Sequence, residues 1–264
     1  MLDATTAAVH TGFGLSRLAS GGSVPAHVHS YEESLYLLEG QVVVQTPGEA
    51  ARLGPGDYGL IPVGVPHSLR NDGATEARFA RLSVPLPRPE HDLDTQLVPE
   101  LTETEPVAAD VRDPRTRRYG HIDDAQMDPT QQSQDRLAVS ASMRTALLVY
   151  SGITVKMMVD SDLGAQLSTM FMVQYEPDGV AGPHDHPFEE AYFFLEGHAE
   201  ATFDGTRYEL GPGDVAWAGV GAVHSFRNLG DAPLRWLETQ APQPPPRHSY
   251  RFARDWDYLR EVTG

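Results

Sequence analysis

Short apolar runs separated by turn residues dominate the hydrophobic pattern of this chain. Residues 166–175 alternate between two faces, one of which carries only leucine, threonine, phenylalanine, valine and tyrosine. A period of two with such residues indicates a strand rather than a helix. Strand-like runs also cover residues 34–38, 41–44, 153–159 and 191–195. With 24 glycines and 21 prolines between the runs, the pattern predicts many short strands in a barrel or double-sheet jelly roll.

Two sets of residues recur at a fixed spacing of 157 positions. The first set is His27, His29, Glu33, Gly40, His67 and Asn71, and the second is His184, His186, Glu190, Gly197, His224 and Asn228. A step shared by distant motifs means that one structural unit occurs twice, with no insertion between its motifs. We therefore predict an all-β fold of two tandem β-barrels, with domains at residues 1–85 and 136–264 and a long connector at 86–135.

The connector and the turns carry further signals. Residues 85–135 are rich in proline, acidic and other polar residues, which predicts extended segments with one short helix. A second short helix is predicted for residues 252–259. Gly40 and Gly197 are expected at turns that need a backbone conformation open mainly to glycine.

The composition excludes several classes of function. The 20 basic and 37 acidic residues give a net charge of −17, and without a basic stripe we expect no binding to nucleic acid or to an anionic membrane surface. The chain has no cysteine, which excludes disulfides, thiolate nucleophiles and sulfur-ligated metals. Neither a secretory signal nor an apolar run long enough to span a membrane is apparent. We expect a cytoplasmic protein.

The repeated histidines and glutamates are typical of metal ligands. His27 and His29 lie two residues apart, so their side chains point to the same face of a strand. Glu33 has the same parity, and a barrel can bring His67 opposite them. Three imidazoles and one carboxylate suit borderline divalent metals, and such sites with open positions are typical of oxygen-activating iron(II). Four protein ligands leave two positions for water, dioxygen or a chelating substrate.

A structural role for these residues is the competing interpretation. A lone buried histidine is usually a hydrogen-bonded core residue, but six of the 11 histidines fall on the repeated pattern. Structural zinc sites are usually closed and rich in thiolates. The pattern therefore favours catalysis or ligand binding over a purely structural metal.

The chain resembles the cupin superfamily through two motifs in each repeat. The first motif runs from Gly21 to Gly40, and the second runs from Gly56 to Asn71. The later copy departs twice, since its first motif is one residue shorter and Gly219 replaces the turn proline. The resemblance implies a bicupin, with two jelly-roll barrels that each hold a transition metal. The implied ligands are His27, His29, Glu33 and His67 in the first barrel, and His184, His186, Glu190 and His224 in the second.

From this resemblance the leading hypothesis is a metal-dependent oxidoreductase of the dioxygenase type. Its substrate would be a small enolic or aromatic molecule, with dioxygen as the second reactant. Glu33 and Glu190 are the candidate catalytic residues, each as ligand and proton acceptor. The expected cofactor is a divalent metal at both sites, with Fe(II) preferred and Mn, Ni, Co and Zn left open. Tyr192 and Phe194 share the parity of Glu190, and Leu35 and Leu37 share that of Glu33. If these residues line the pockets, the second pocket is aromatic and the first is aliphatic.

Two other classes of function stay open, because the cupin fold alone does not choose a reaction. One is a non-oxidative bicupin enzyme, namely an isomerase, a decarboxylase or a hydrolase similar to ureidoglycine aminohydrolase. The other is a non-catalytic, metal-containing protein that binds a small ligand. A homodimer is a further expectation.

Overall fold

The structure, a computed structural model, describes residues 2–88, 94–129, 150–243 and 251–252. The chain divides into two compact units, one of Met1–Asp123 with Met158–Ser168 and the other of Asp124–Met157 with Thr169–Gly264. Each unit contains one repeat. The domain boundaries expected after residues 85 and 135 stay a prediction. Among the described residues, no helix has the length and apolar character needed to cross a membrane.

Strands make up most of the first unit. After a 3-10 turn at Ala4–Thr6, its strands are β1 (Gly12–Leu18), β2 (Ser23–His29), β3 (Glu32–Glu39), β4 (Val42–Thr46), β5 (Glu49–Leu53), β6 (Asp57–Ile61), β7 (His67–Arg70), β8 (Ala77–Val84), β9 (Thr95–Leu97), β10 (Val107–Ala108) and β11 (Tyr119–His121). The last three belong to the predicted connector. They pair with β2, β5 and β6 of the first barrel, so part of the connector extends the barrel's sheets.

The remaining elements continue the same pattern. They are α1 (Asp124–Met127), β12 (Tyr150–Val159), β13 (Thr169–Asp185), β14 (Glu189–Glu196), β15 (Ala199–Phe203), β16 (Thr206–Leu210), β17 (Val215–Ala218), β18 (His224–Asn228), β19 (Leu234–Ala241) and β20 (Arg251–Phe252). The strand expected at residues 153–159 lies within β12. The helix expected at 252–259 lies outside the described residues, except that Phe252 belongs to β20.

Two sheets form the first barrel. One has the order β1-β8-β3-β6-β11, and the other has the order β10-β5-β4-β7-β2-β9. Alternating apolar residues turn inward from both sheets. The core includes Leu35, Leu37 and Phe79 from the first sheet and Val42, Val44 and Leu69 from the second. The predicted all-β barrel is present in this unit, and its inward faces position the site.

In the second unit one long strand replaces two. The 17 residues of β13 cover the positions of both β1 and β2, so its start pairs with β19 and its end pairs with β18. As a result the described strands of this unit form a single nine-stranded sheet. Its core is rich in aromatic residues, which include Phe171, Tyr175, Tyr192, Phe194, Phe226 and Trp236.

Candidate metal sites

Pairing between β2 and β7 brings the first three histidines together. His27 lies directly opposite His67 in the ladder, just after a register shift that begins at Val24. His29 follows on the same face. The ring centroids are 4.1 Å apart for His27 and His67, 4.7 Å for His29 and His67, and 5.9 Å for His27 and His29. All three side chains are buried.

Pairing between β13 and β18 repeats this arrangement in the second unit. His184 lies opposite His224 after an equivalent register shift at Ala181. The ring centroids are 4.3 Å apart for His184 and His224, 4.9 Å for His186 and His224, and 6.2 Å for His184 and His186. In each triad the candidate ligand atoms lie within 4.8 Å of one another. The geometry therefore suits one cation per triad.

Backbone carbonyls fix which ring nitrogen faces the centre of each triad. The Nδ1 atoms contact the carbonyl oxygens of Pro25, Tyr31 and Val65 at 2.8, 2.6 and 3.0 Å, and those of Gly182, Phe188 and Ala222 at 2.8, 2.8 and 2.9 Å. Because a carbonyl only accepts, Nδ1 donates and Nε2 keeps its lone pair. The buried Nε2 atoms of His29 and His67 have no hydrogen-bond partner among the described residues. A cation would satisfy both.

Burial favours the neutral form of three of these imidazoles, whereas the charge of Glu190 raises the pKa of His186 despite its burial. Burial lowers the pKa of His67 to about 4 and that of His184 to about 3, and it lowers the pKa of His29. Only neutral imidazole binds a metal, so these rings are ready to act as ligands near neutral pH. The donor set of nitrogen and oxygen without sulfur fits a divalent transition metal.

Each triad has a buried glutamate beside it. In the first site, Oε2 of Glu33 lies 3.6 Å from Nε2 of His29 and accepts a hydrogen bond from Arg81. The other oxygen, Oε1, is buried without a hydrogen-bond partner in the part of the chain that the structure describes. Arg81 therefore occupies the oxygen of Glu33 that faces His29, and the second oxygen is left for another partner.

The second glutamate has a different set of neighbours. Oε2 of Glu190 lies 2.8 Å from Nε2 of His186 and 3.3 Å from Nε2 of His224, and it accepts a hydrogen bond from the Tyr192 hydroxyl. Oε1 accepts from Nε2 of Gln240 at 2.7 Å. The structure thus brings all eight predicted residues into two groups of four. Their role as ligands stays a prediction.

The sequence reasoning missed one pair of residues beside these glutamates. Arg81 on β8 and Glu238 on β19 are separated by the repeat step of 157 residues, yet they carry opposite charges. Burial, together with the charge of Glu190, raises the pKa of Glu238 well above its usual range, and its Oε2 accepts from Nε1 of Trp236 at 2.8 Å. Extending the repeat step beyond the motifs would have revealed this exchange.

The two barrels also differ in the space beside the site. A cavity of about 270 Å³ in the first unit is lined by Gly12, Gly14 and Ser16 of β1 and by Arg81. These three positions correspond to Thr169, Phe171 and Val173 in the second repeat. The cavity there measures about 30 Å³, and Phe171 and Val173 line it. His184, Glu190 and His224 line the smaller cavity, whereas the larger one reaches the first site only through Tyr31 and Arg81.

The second site has an aromatic lining, but of the two predicted residues only Tyr192 belongs to it, and Phe194 does not. Tyr192 lines the small cavity together with Phe226 and Trp236.

Leu35 and Leu37 lie in the core of the first unit and do not line its larger cavity. In the first unit, Tyr31 lines the larger cavity and stacks on His29, with ring centroids 3.9 Å apart and ring planes at 10°. The larger cavity therefore lies one side chain away from the first histidine triad.

Comparison with known proteins agrees with this architecture. Residues 14–85 and 171–239 each match the cupin domain family, and together they make up more than half of the chain. The chain therefore belongs to the cupin family, as a bicupin with two such domains.

Two curated relatives come from Streptomyces. The tetracenomycin polyketide synthase protein TcmJ of Streptomyces glaucescens is 37% identical over 103 residues, which cover 38% of this chain and 69% of that protein. The polyketide synthase CurC of Streptomyces cyaneus is 35% identical over 92 residues, which cover 34% of this chain and 60% of that protein. Each match thus spans about one domain of this chain.

Solved bicupin structures share the fold over most of the chain. A salicylate 1,2-dioxygenase from Pseudaminobacter salicylatoxidans superposes with a TM-score of 0.64 at 14% identity, covering 89% of this chain and 71% of that one. An oxalate decarboxylase from Bacillus subtilis gives 0.63 at 17% identity, covering 97% and 74%. At such identities the likeness establishes the fold alone.

Proposed function

We propose that the protein is a metal-dependent oxidoreductase of the dioxygenase type that acts on a small enolic or aromatic substrate. The observation that carries the proposal is the first site, where buried Nε2 atoms and Oε1 of Glu33 have no hydrogen-bond partner among the described residues. Arg81 and Tyr31 contact Glu33 and His29 of that site and also line a cavity of about 270 Å³. That volume is close to the lower end of ligand pockets. The second site, with about 30 Å³, has no comparable room.

Within this proposal His27, His29, Glu33 and His67 hold the catalytic metal, and Fe(II) is the preferred ion. When bound, the metal supplies a Lewis-acidic and redox-active centre with open positions. The protein orients the ligands through the Nδ1 hydrogen bonds and excludes water by burial. The Glu33 carboxylate, whose Oε2 accepts a hydrogen bond from Arg81, is also the group proposed to accept the proton of a substrate hydroxyl.

The names of the relatives support an enolic or phenolic substrate. Both Streptomyces proteins are named for polyketide synthases, and a chain of alternating carbonyl groups enolises and aromatises readily. The structurally similar dioxygenase is named for salicylate, which is a phenol with a neighbouring carboxylate. An aromatic polyketide or a fragment of one is therefore the proposed substrate class.

A non-oxidative reaction is the second candidate, and one observation favours it. In the second barrel the carboxyl groups of Glu190 and Glu238 line the same small cavity. Burial and the charge of Glu190 raise the pKa of Glu238, which favours its protonated form, whereas the neighbouring histidines lower the pKa of Glu190 despite its burial. One acid and one base in contact suit proton transfer without dioxygen.

Oxygen uptake tests the proposal directly. The protein is loaded with Fe(II) without air and mixed with phenolic or 1,3-diketone substrates in an oxygen electrode. We expect uptake in proportion to the substrate consumed. His67→Ala should lower kcat/KM by more than about 100-fold, because a lost ligand should cost more than a lost outer-shell partner. His198→Ala, which removes an exposed histidine, should leave the rate unchanged.

The other outcomes identify the competing functions. Substrate conversion without oxygen uptake would support the non-oxidative enzyme. Binding of the substrate without any turnover, whichever metal is loaded, would support a binding protein. Activity that survives His67→Ala and disappears in His224→Ala would assign catalysis to the second barrel.

A further inference from the structure

Arg81 sits between the first metal site and the larger cavity. Its Nη2 donates to Oε2 of Glu33, and it lines the cavity beside Tyr31 and Ser83. The Glu33 carboxylate is fully buried, whereas 36% of the Arg81 side chain is exposed. Nε of Arg81 is buried and Tyr31 is a second side-chain partner of the guanidinium, so it is the exposed part of the group that can meet a ligand.

Charge in the first site favours an anion. With a divalent cation bound, the cation, the Glu33 carboxylate and the Arg81 guanidinium together carry a net charge of +2. In the second barrel Arg81 is replaced by Glu238, so no such excess exists there. Because a buried excess of charge is costly, the first site gains most from a ligand that brings a negative charge of its own.

The shape of the guanidinium narrows the class of anion. Arginine presents five N–H donors in a planar fork, which matches the two oxygens of a carboxylate. Hydrogen bonding to Glu33 fixes the plane of this fork before a ligand arrives, so little freedom is lost on binding. Ser83 and the Tyr31 hydroxyl line the same cavity and offer further donors.

We propose that Arg81 binds a carboxylate group of the substrate in the cavity of the first barrel. This inference rests on the proposed function, in which that cavity takes the substrate. The substrate is then an anion, such as an aromatic or enolic acid, whose hydroxyl-bearing part faces the metal site. Arg81 acts as a specificity-determining residue, and the second barrel has no counterpart for it.

Binding of salicylate and salicylamide to the metal-loaded protein tests this inference. The two probes share the phenolic hydroxyl and differ in the charged carboxylate, so the ratio of their dissociation constants isolates the anion. Calorimetry on the Mn(II)-loaded protein should give tighter binding of salicylate by about 10- to 100-fold, the range for hydrogen bonds between charged groups. In Arg81→Gln the ratio should fall to nearly one, with the metal content measured alongside.

A matched control lies on the same strand. Arg78 on β8 pairs with Glu39 at the exposed face, so Arg78→Gln should keep the wild-type ratio. If Arg81 only positions Glu33, then Arg81→Gln will weaken both probes equally and leave the ratio intact, which overturns the inference. A wild-type ratio near one, or no binding of salicylate, overturns it as well.

The same data separate this inference from the proposed function. If the ratio falls to nearly one in Arg81→Gln but the protein consumes no oxygen with any substrate, the carboxylate site is supported and the dioxygenase proposal is refuted. If the protein consumes oxygen and the ratio is unchanged in Arg81→Gln, the dioxygenase proposal is supported and the carboxylate site is refuted.

Discussion

At the scale of single residues, the buried imidazole of His67 makes stability depend on pH. Burial lowers its pKa to about 4 from 6.5. Between these values the unfolded chain binds a proton that the folded protein does not bind, so the free energy of unfolding falls as the pH falls. In the metal-free protein, His67 should therefore lower the free energy of unfolding by about 2 kcal/mol when the pH is lowered from 7.5 to 5.0.

Urea unfolding of the metal-free protein at the two pH values measures this effect. His67→Gln should reduce the pH dependence of the unfolding free energy by about 2 kcal/mol, because glutamine does not titrate. His198→Gln changes an exposed histidine and should leave that dependence nearly as it is in the wild type. An unchanged pH dependence in His67→Gln would mean that the buried imidazole is protonated in the folded state.

At the scale of the elements, the turn after β3 requires glycine for two separate reasons. Gly40 has a φ of 72°, and a Cβ there would lie 2.5 Å from the carbonyl oxygen of Glu76. Gly48 has a φ of 78°, but a Cβ there would meet nothing within 4 Å. We expect Gly48→Ala to cost about 1 kcal/mol from the backbone alone, and Gly40→Ala about 3 kcal/mol or more.

Urea denaturation of the two variants checks this difference. Because both glycines lie in the first unit at positive φ, Gly48→Ala is the matched control for the backbone term. Equal losses in the two variants would mean that the Glu76 backbone moves away without cost, and that only the sign of φ matters at this turn.

Most of the strands and the glycine turns could be predicted from the sequence. Period-two alternation and glycine punctuation predicted the strands, and the prediction of permissive backbone angles at Gly40 and Gly197 is confirmed, with φ of 72° and 73°. The continuity of β13 did not follow, since residues 176–183 contain two prolines and three glycines or aspartates in a region that resembles a loop. Pairing with β19 reaches Tyr175 and pairing with β18 begins at Val180, and no local signal reports such pairing.

The candidate site could be predicted only in part, because its surroundings depend on how the strands pair. All eight donors stand at fixed offsets in two motifs, so the repeat identified them without any structure. Arg81 and Glu238 lie in the last strand of each barrel, where a charged residue usually faces solvent. The size of a cavity depends on which side chains meet across the barrel, and the role of Gly12 and Gly14 at the first cavity emerges only once β1 is paired with β8.

At the scale of the whole molecule, the two repeats share the candidate ligands and differ in what surrounds them. Both units retain three histidines and a glutamate in equivalent ladder positions. The first unit has the Arg81 guanidinium and a larger cavity near its site. The second has the Glu238 carboxyl group and aromatic side chains around a small cavity. Since the ligand sets are complete within each unit, neither requires residues of the other.

Metal content gives the corresponding prediction for the intact chain. The wild-type protein should bind two equivalents of divalent metal, His27→Ala and His184→Ala one each, and the double variant none, as measured by elemental analysis after equilibrium dialysis. His198→Ala should retain two. Loss of both equivalents in a single variant would mean that the sites depend on each other, and full metal content in both would refute the ligand assignment.

Metal removal should also lower stability, because the preformed sites exist only in the folded protein. At a free metal concentration of 100 times Kd, each site contributes about 2.7 kcal/mol. A chelator should therefore lower the Tm of the wild type, and it should lower that of each single variant by less. An identical shift in the wild type and the double variant would trace the effect to the chelator, since the double variant holds no metal to lose.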